Sequence, residues 1–491
     1  MLSILNEHYL LITSLLILSF GIIYRFATHL NYPTIQTSIN TLAILALVSA
    51  IFIMAIDLNI PTVAFNSLFV KDAITIGVEL TTTLLAIGII IAAKQYNKKE
   101  NIAHFEYTIL VLFVLLSVHL LITVEELFSF YLILEFQSIC LYILASLKKN
   151  KYSVEAALKY FILGSFASIV LLIGFSFIYG ISGLTHFEDL SIFFKDKTLL
   201  LPEMEIITKY AIILISIGIF FKIYMAPMHL WVADIYAQSP TTSVIIFASS
   251  SLMPFYVIFF KFYEHILSEF YGFWKHIILL TAILSIIIGT IGAMYQYSIK
   301  RLLAYSSIAN TGYIFLSFLT IESPLLLANG LLYVFIYTIN TFGVFTLLLT
   351  SKINTNGGEE YIENIYQLAG LYKKNTLYSL VWMIYFYAIA GLPPFSVFFA
   401  KIAVFTSLIY SNTFVWIPIL IALITVISTF YYIRVIQIIY FEDEKETYGL
   451  TAIPEGAGFI LYGILTINIL YLLVNSELSA MTQYFILSLY A

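Results

Sequence analysis

Apolar runs about 20 residues long, the length a helix needs to cross a bilayer, alternate along this chain with short polar stretches. They lie near 8–26, 37–56, 73–93, 105–124, 127–147, 155–180, 209–230, 241–263, 274–296, 301–320, 324–350, 376–410, 415–440 and 457–475. The pattern predicts an all-α polytopic membrane protein with about fourteen transmembrane helices, numbered here as spans 1 to 14. The longest polar stretches, 181–208 and 351–375, are too short for a domain, so residues 1–491 form a single membrane domain. Within the second, Asn354-Thr355-Asn356-Gly357-Gly358-Glu359-Glu360 predicts a flexible loop.

Basic residues collect on the cytoplasmic or matrix side of a membrane, and sorting the 23 Lys and Arg by connection tests the count. Fourteen belong with the odd-numbered connections: Arg25, Lys94, Lys98, Lys99, Lys148, Lys149, Lys151, Lys300, Arg301, Lys352, Lys373, Lys374, Lys445 and nearby Arg434. Six belong with the even-numbered ones: Lys71, Lys195, Lys197, Lys209, Lys261 and Lys275. The bias puts both termini on the intermembrane-space or periplasmic side. Lys159, Lys222 and Lys401 fall within spans.

Composition narrows the chemistry. The chain is 61% hydrophobic and 10% charged, which excludes a soluble enzyme, and a net charge of −5 without a basic run beyond Lys148-Lys149-Asn150-Lys151 argues against a nucleic-acid partner. The single Cys140 cannot build a zinc site or an iron–sulfur cluster. Of the eight His only His119 lies well inside a span, so no bis-His haem site is visible. No phosphate-binding glycine motif is present, and Gly289-Thr290-Ile291-Gly292-Ala293 lies in a membrane helix without a dinucleotide pattern. The amino terminus shows neither a basic signal region nor an Arg-rich presequence.

The charges inside spans carry the information, because a lysine at mid-membrane costs at least about 2.5 to 3.5 kcal/mol and marks either an ion pathway or a structural pairing. Lys222 precedes Pro227 by five residues in an apolar helix, and Lys401 follows the Pro393-Pro394 pair that interrupts a very long apolar run. A proline frees a backbone carbonyl that protein or water must satisfy. Glu135 lies near the middle of span 5 without a basic residue within one turn; Lys159 lies four residues after Glu155, the spacing of an ordinary helix-face pair. Glu79, Glu106 and His119 read as polar contacts between packed helices. At an effective dielectric near 20 a charge about 8 Å away contributes about 2 kcal/mol, enough for neutralising a carboxylate such as Glu135 to help load or unload a lysine with a proton. At about 15 Å that falls to about 1 kcal/mol, so Lys222 and Lys401 need polar groups or water between them.

The stretch from Ala226-Pro227-Met228-His229-Leu230-Trp231 through Asp234-Ile235-Tyr236 to Ser239-Pro240-Thr241-Thr242 resembles the proton-translocating antiporter-like subunits of respiratory complex I and their Mrp antiporter relatives. Glu155-Ala156-Ala157-Leu158-Lys159-Tyr160, Lys300-Arg301-Leu302-Leu303-Ala304-Tyr305 and Ala390-Gly391-Leu392-Pro393-Pro394-Phe395 reinforce the resemblance. Asp234-Ile235-Tyr236 after His229-Leu230-Trp231, and lysine rather than glutamate at position 401, look like the N-type branch.

The resemblance implies two inverted five-helix repeats, spans 4–8 over 104–263 and spans 9–13 over 274–440, with spans 7 and 12 broken. Three helices over 1–103 precede them, and a helix and tail over 441–491 follow. By motif match Glu135 becomes the charge partner of Lys222, Lys222 the central proton carrier, and Lys401 the terminal lysine of the second half, with Lys159 on the same line. Leu252 stands where the family usually has a lysine joining the halves, so either Ser249, Ser250 and Ser251 with water carry that link or the route is altered.

The implied function is a proton-pumping membrane-arm subunit of NADH:ubiquinone oxidoreductase. The alternatives are a free-standing Mrp-like cation/proton antiporter and a structural spacer that does not pump. No cofactor is expected in this chain, since NADH, FMN, iron–sulfur clusters and ubiquinone belong to other subunits. The expected partners are other membrane-arm subunits, protons and lipids such as cardiolipin, in the mitochondrial inner membrane or a bacterial plasma membrane.

Overall fold

A computed structural model describes residues 4–25, 32–57, 62–100, 102, 105–196, 201–320, 323–355, 358–411, 416–443, 449–450 and 455–488. Among them thirteen helices are long and apolar enough to cross a membrane, and Thr376–Ala390 with Ser396–Tyr410 adds a fourteenth crossing in two pieces. Spans 1 to 6 are Leu5–Arg25, Tyr32–Asp57, Ala73–Lys99, Phe105–Thr123, Leu127–Ser146 and Lys151–Ser182. Span 7 is Pro202–Lys222 followed, after a break, by the short helix Val232–Gln238. Span 8 joins Thr241–Ser250, Leu252–Phe259 and a π-helical turn, Phe260–Ile266. Spans 9 to 11 are Tyr271–Met294, Ile299–Phe315 with a 3₁₀ turn to Thr320, and Pro324–Thr350. Span 12 is the broken pair, and spans 13 and 14 are Trp416–Phe441 and Glu455–Leu487.

Local chemistry sets several ends. Span 6 starts where the Asn150 side chain accepts from the Ser153 N–H at 2.7 Å, and stops at Gly183, whose φ of +68° suits a residue without Cβ. Spans 8, 10 and 11 are 94%, 94% and 89% buried and form the centre, whereas spans 13 and 14 are 33% buried. The outward faces remain apolar, as on span 6 with Leu158, Phe161, Ile162 and Phe166, which suits hydrocarbon rather than water.

Several expectations shift. Span 7 starts earlier and breaks sooner than its apolar run. Span 14 continues past Asn475-Ser476-Glu477, because Asn475 accepts from Tyr471 and the exposed Ser476 and Glu477 do not interrupt a helix whose opposite face is packed; Phe485 of that extension fills the space left by the missing side chain of Gly77. The expected loop at 354–360 is instead a hairpin of 352–355 with 358–361, and 449–450 adds a third strand. Residues 356–357, Lys197 and Lys445 lie outside the described residues. Lys261, assigned to a connection, sits buried in the π-helical turn of span 8 with its amine 2.5 Å from Glu125 Oε1.

Contacts between connections agree with the charge sorting. On the odd-numbered side Lys148 pairs with Glu100, Lys99 with Glu359, and Lys373 with Asp443. On the other side Phe69 bridges Val124, and Glu126 bridges His186. Spans 7 and 12 are five crossings apart, an odd number, so they run through the membrane in opposite directions and any repeat relating them is inverted.

Candidate functional site

Two interrupted helices build the site. In span 7 the last carbonyls of Pro202–Lys222 turn inward: Met225 N–H donates to Phe220 O at 3.0 Å and Tyr224 N–H to Phe221 O at 3.2 Å. In span 12 Leu392 N–H donates to Tyr387 O at 3.2 Å and Gly391 N–H to Ala388 O at 3.1 Å. Both are the same helix-ending motif, which requires a left-handed residue just past the helix. That residue is Tyr224 at φ +52° in one half and Gly391 at φ +75° in the other. The hydrogen bonds align Tyr224-Met225-Ala226-Pro227 with Gly391-Leu392-Pro393-Pro394, and the Ala226–Pro227 and Pro393–Pro394 peptides are both cis.

Each ending holds a buried lysine. Lys222 closes its half-helix and donates to Ser138 Oγ of span 5 at 2.6 Å. Lys401 lies beyond its break, yet its stem reaches back, so Nζ donates to Ala390 O at 3.0 Å and lies 5.0 Å from the centre of the Tyr313 ring. A Cβ at Gly391 would fall 3.0 Å from Lys401 Cδ and 3.1 Å from Nζ, so the glycine also makes room for the amine. Despite the opposite order of lysine and proline in the two sequences, each break thus holds a buried amine: Lys401 sets its ammonium against the carbonyl end of a half-helix, where the backbone dipole favours positive charge, while Lys222, the last residue of its half-helix, turns its amine to Ser138.

Glu135 lies one helical turn from Ser138, with Oε1 buried and without a hydrogen-bond partner among the described residues. Lys222 therefore touches the serine and faces the turn that carries the carboxylate. Lys159 is placed elsewhere. It is 42% exposed by side chain, 2.9 Å from Glu155 and 3.9 Å from Asp234, which also meets Arg301 at 3.3 Å. Its neighbour Tyr160 stacks on Trp231 at 4.6 Å, and the Trp231 indole N–H donates to Phe221 O at 3.1 Å, so aromatic packing leads from that outer ion network to the break beside Lys222.

Between the two breaks lies polar structure that the sequence reading did not single out. Ala226 N–H donates to Ser285 Oγ of span 9 at 2.8 Å, tying the first break to the second half. Tyr224 and Tyr236 are fully buried, with hydroxyls unpartnered among the described residues. In spans 10 and 11 Tyr337 donates to Ser307 at 3.0 Å and Tyr333 to Asn310 Oδ1 at 2.8 Å, while Ser306 hydrogen-bonds Tyr432 of span 13. Asn340 joins Ser396 at 3.0 Å, and Ser396 reaches Asn468 at 2.5 Å. The recoverable signal is the spacing of Ser306, Ser307, Asn310, Thr311 and Ser317, polar positions on one face of span 10. The tyrosines gave none, being lost among 37.

Leu252 is fully buried, and Ser249, Ser250 and Ser251 each donate to the carbonyl four residues earlier, at 2.5, 2.6 and 2.6 Å. Their hydroxyls keep acceptor capacity but commit their own protons to the helix. Among the described residues no group of His, Cys, Asp and Glu is arranged to hold a metal.

Two buried amines, two matched breaks and a hydroxyl-lined interior set the context for comparison with known proteins. The family described as NADH:quinone oxidoreductase/Mrp antiporter, TM matches residues 124–429. The chain belongs to this family. Its relatives in the antiporter family include NADH-ubiquinone oxidoreductase chain 2 of Marchantia polymorpha, 32% identical over 90% of this chain and 89% of that one. The same chain of Oenothera berteroana is 30% identical over 100% and 99%, and NADH-quinone oxidoreductase subunit N of Paramagnetospirillum magneticum is 33% identical over 84% and 83%. Among solved structures, a chain of respiratory complex I from Thermus thermophilus with bound aureothin superposes with a TM-score of 0.76 at 24% identity, over 96% of this chain and 98% of that one. A chain of the Mrp complex from Dietzia superposes with 0.79 at 18% identity, over 99% and 98%. These likenesses show that the antiporter family's fold extends over nearly the whole chain.

Proposed function

We propose that this chain is a proton-translocating membrane-arm subunit of an NADH:ubiquinone oxidoreductase, in which Glu135, Lys222 and Lys401 carry the proton line and Lys159 feeds it from the flank. The observation that carries the reading is the pair of buried amines, one beside the break in each of spans 7 and 12, with polar side chains between them. A change of charge near Glu135 alters the proton affinity of Lys222, and the polar interior relays the change toward Lys401. Residues 104–263 and 274–440 act as the two half-channels. NADH, FMN, iron–sulfur clusters and ubiquinone are held by other subunits, and lipids such as cardiolipin cover the apolar faces. The relatives named NADH-ubiquinone oxidoreductase chain 2 support the mitochondrial inner membrane as its location.

Buried Leu252 favours one other reading, a spacer that holds the arm together without pumping. Lys222→Met in the assembled complex, reconstituted in vesicles, separates the two. A proton carrier loses most of both NADH oxidation and acidification, whereas a spacer keeps both. Na⁺-dependent proton exchange by vesicles holding this chain alone would instead support a free-standing antiporter.

A further inference from the structure

A second buried charge cluster lies outside the matched family region, where spans 1, 3 and 4 meet the hairpin of 62–64 with 69–71. Lys71 Nζ is 2.8 Å from Glu7 Oε1 and 3.3 Å from Glu79 Oε1. Asn6 Nδ2 lies 3.3 Å from Glu79 Oε2 and 3.3 Å from His119 Nδ1, while His119 Nε2 lies 3.3 Å from Thr82 Oγ1 and 3.4 Å from Thr83 Oγ1. Glu7, Lys71, Glu79 and His119 are each at most 2% exposed. The sequence offered Glu79 and His119 as separate helix contacts; the fold joins them to two further charged groups.

The charges do not balance when both carboxylates are ionised. One ammonium faces two carboxylates, and His119 Nδ1, accepting from the Asn6 amide that also donates to Glu79, leaves its ring neutral, so one negative charge stays uncompensated in a buried site. Glu7 Oε2 has no hydrogen-bond donor among the described residues. One added proton neutralises the cluster and supplies a missing donor. Lys71 does not take that role: burial pulls its amine down, but the carboxylates of Glu79 and Glu7 offset this and hold it above the ordinary lysine value, so it stays charged through neutral pH.

We propose that Glu7, Lys71, Glu79 and His119 form a second proton-binding site, holding one exchangeable proton at the outer end of the N-terminal helices. Position supports release to that side. Glu7 lies in the first turn of span 1, His119 one turn from the end of span 4, and Lys71 belongs to the hairpin, where Phe65 is exposed and stacks 6.1 Å from His8. On release the carboxyl O–H bond breaks, the proton passes to water on the outer face, and the carboxylate left behind stays beside Lys71.

Among the described residues, the other titratable groups of the neighbouring spans lie elsewhere or have partners of their own. Residues 36–55 of span 2 hold no titratable side chain, Glu106 and Tyr107 lie at the far end of span 4, and Glu477 of span 14 is exposed. In span 1, His8 Nδ1 meets Ile4 O and Tyr9 is bonded to Ser49. Lys261 of span 8 is taken by Glu125, with Asp72 acted on by both; spans 11 and 14 bring Tyr333, Tyr337 and Tyr471, each bonded to its own partner.

The proposal extends the proton-pumping reading, but its test does not depend on that reading. Infrared spectra of the intact purified complex, recorded in H₂O and D₂O across a pH series, report protonated carboxyls directly. The expected result is a carboxylic-acid C=O band at neutral pH that shifts in D₂O and is lost in Glu79→Gln and in Glu7→Gln, since either change leaves one carboxylate matched to Lys71. Lys71→Met removes the compensating charge, so the band should persist to more alkaline pH. A band unchanged in both glutamine variants, or one insensitive to D₂O, would overturn the proposal and leave a structural ion cluster. Lys222→Met should keep the band, so a failure of the pumping reading would appear in vesicle acidification and leave this result intact.

Discussion

The breaks in spans 7 and 12 solve one problem with different residues. Both half-helices end in the same hydrogen-bonded turn, but one uses Tyr224 and the other Gly391 at the left-handed position. One lysine precedes its break and reaches across to Ser138, while the other follows its break and folds back onto Ala390. Backbone geometry is shared between the halves; the origin of the charge is not. What the inverted arrangement preserves is a buried amine beside each break, with a serine hydroxyl as its partner in one half and a helix-end carbonyl in the other.

The comparison is broken most severely by removing either amine. If the two are equivalent links in one line, Lys401→Met lowers NADH-driven acidification as far as Lys222→Met, by at least about tenfold, or about 1.4 kcal/mol. A mild effect of one and a severe effect of the other would make one break decorative. Ser138→Ala removes the hydroxyl that only the first amine uses. A hydrogen bond to a charged group contributes about 1.5 to 3 kcal/mol, so pumping should fall by about tenfold in stopped-flow dye assays, with Lys401 chemistry untouched.

Gly391→Ala probes the second break alone. An L-residue at left-handed φ costs about 1 to 2 kcal/mol, and the new Cβ crowds Lys401; complex assembly on native gels and turnover should both drop by about fivefold, about 1 kcal/mol. The smallest effect belongs to Tyr337→Phe, which removes a single hydroxyl between the breaks. Losing a bond of about 1 kcal/mol should slow pumping severalfold while leaving assembly unchanged.

Sequence reading reached the crossings and the charged residues inside them, because a run of apolar residues and a lysine within it are both local facts. It reached the two breaks through Pro227 and Pro393-Pro394 but missed their common register, since Ala226-Pro227 and Pro393-Pro394 share one proline and Tyr224 does not advertise a left-handed turn. The placement of Lys159 on an exposed flank and of Lys71, in its hairpin, against Glu7 and Glu79 depends on how distant helices pack, which no local pattern encodes. Glu7 and Glu79 are 72 residues apart in sequence and meet only in the fold. The hairpin at 352–361 was hidden for the opposite reason: its Asn and Gly residues suit a loop and a tight turn equally.

The central claim is that Lys222 and Lys401 lie in series on one proton line, and a double-variant cycle in reconstituted complex tests it most directly. The rate of NADH-driven acidification would be measured for Lys222→Met, Lys401→Met and the two together. Groups acting as one unit are strongly non-additive, so the account predicts that the double variant is no worse than the more damaged single variant. Losses that multiply would contradict it and assign the two amines to independent routes.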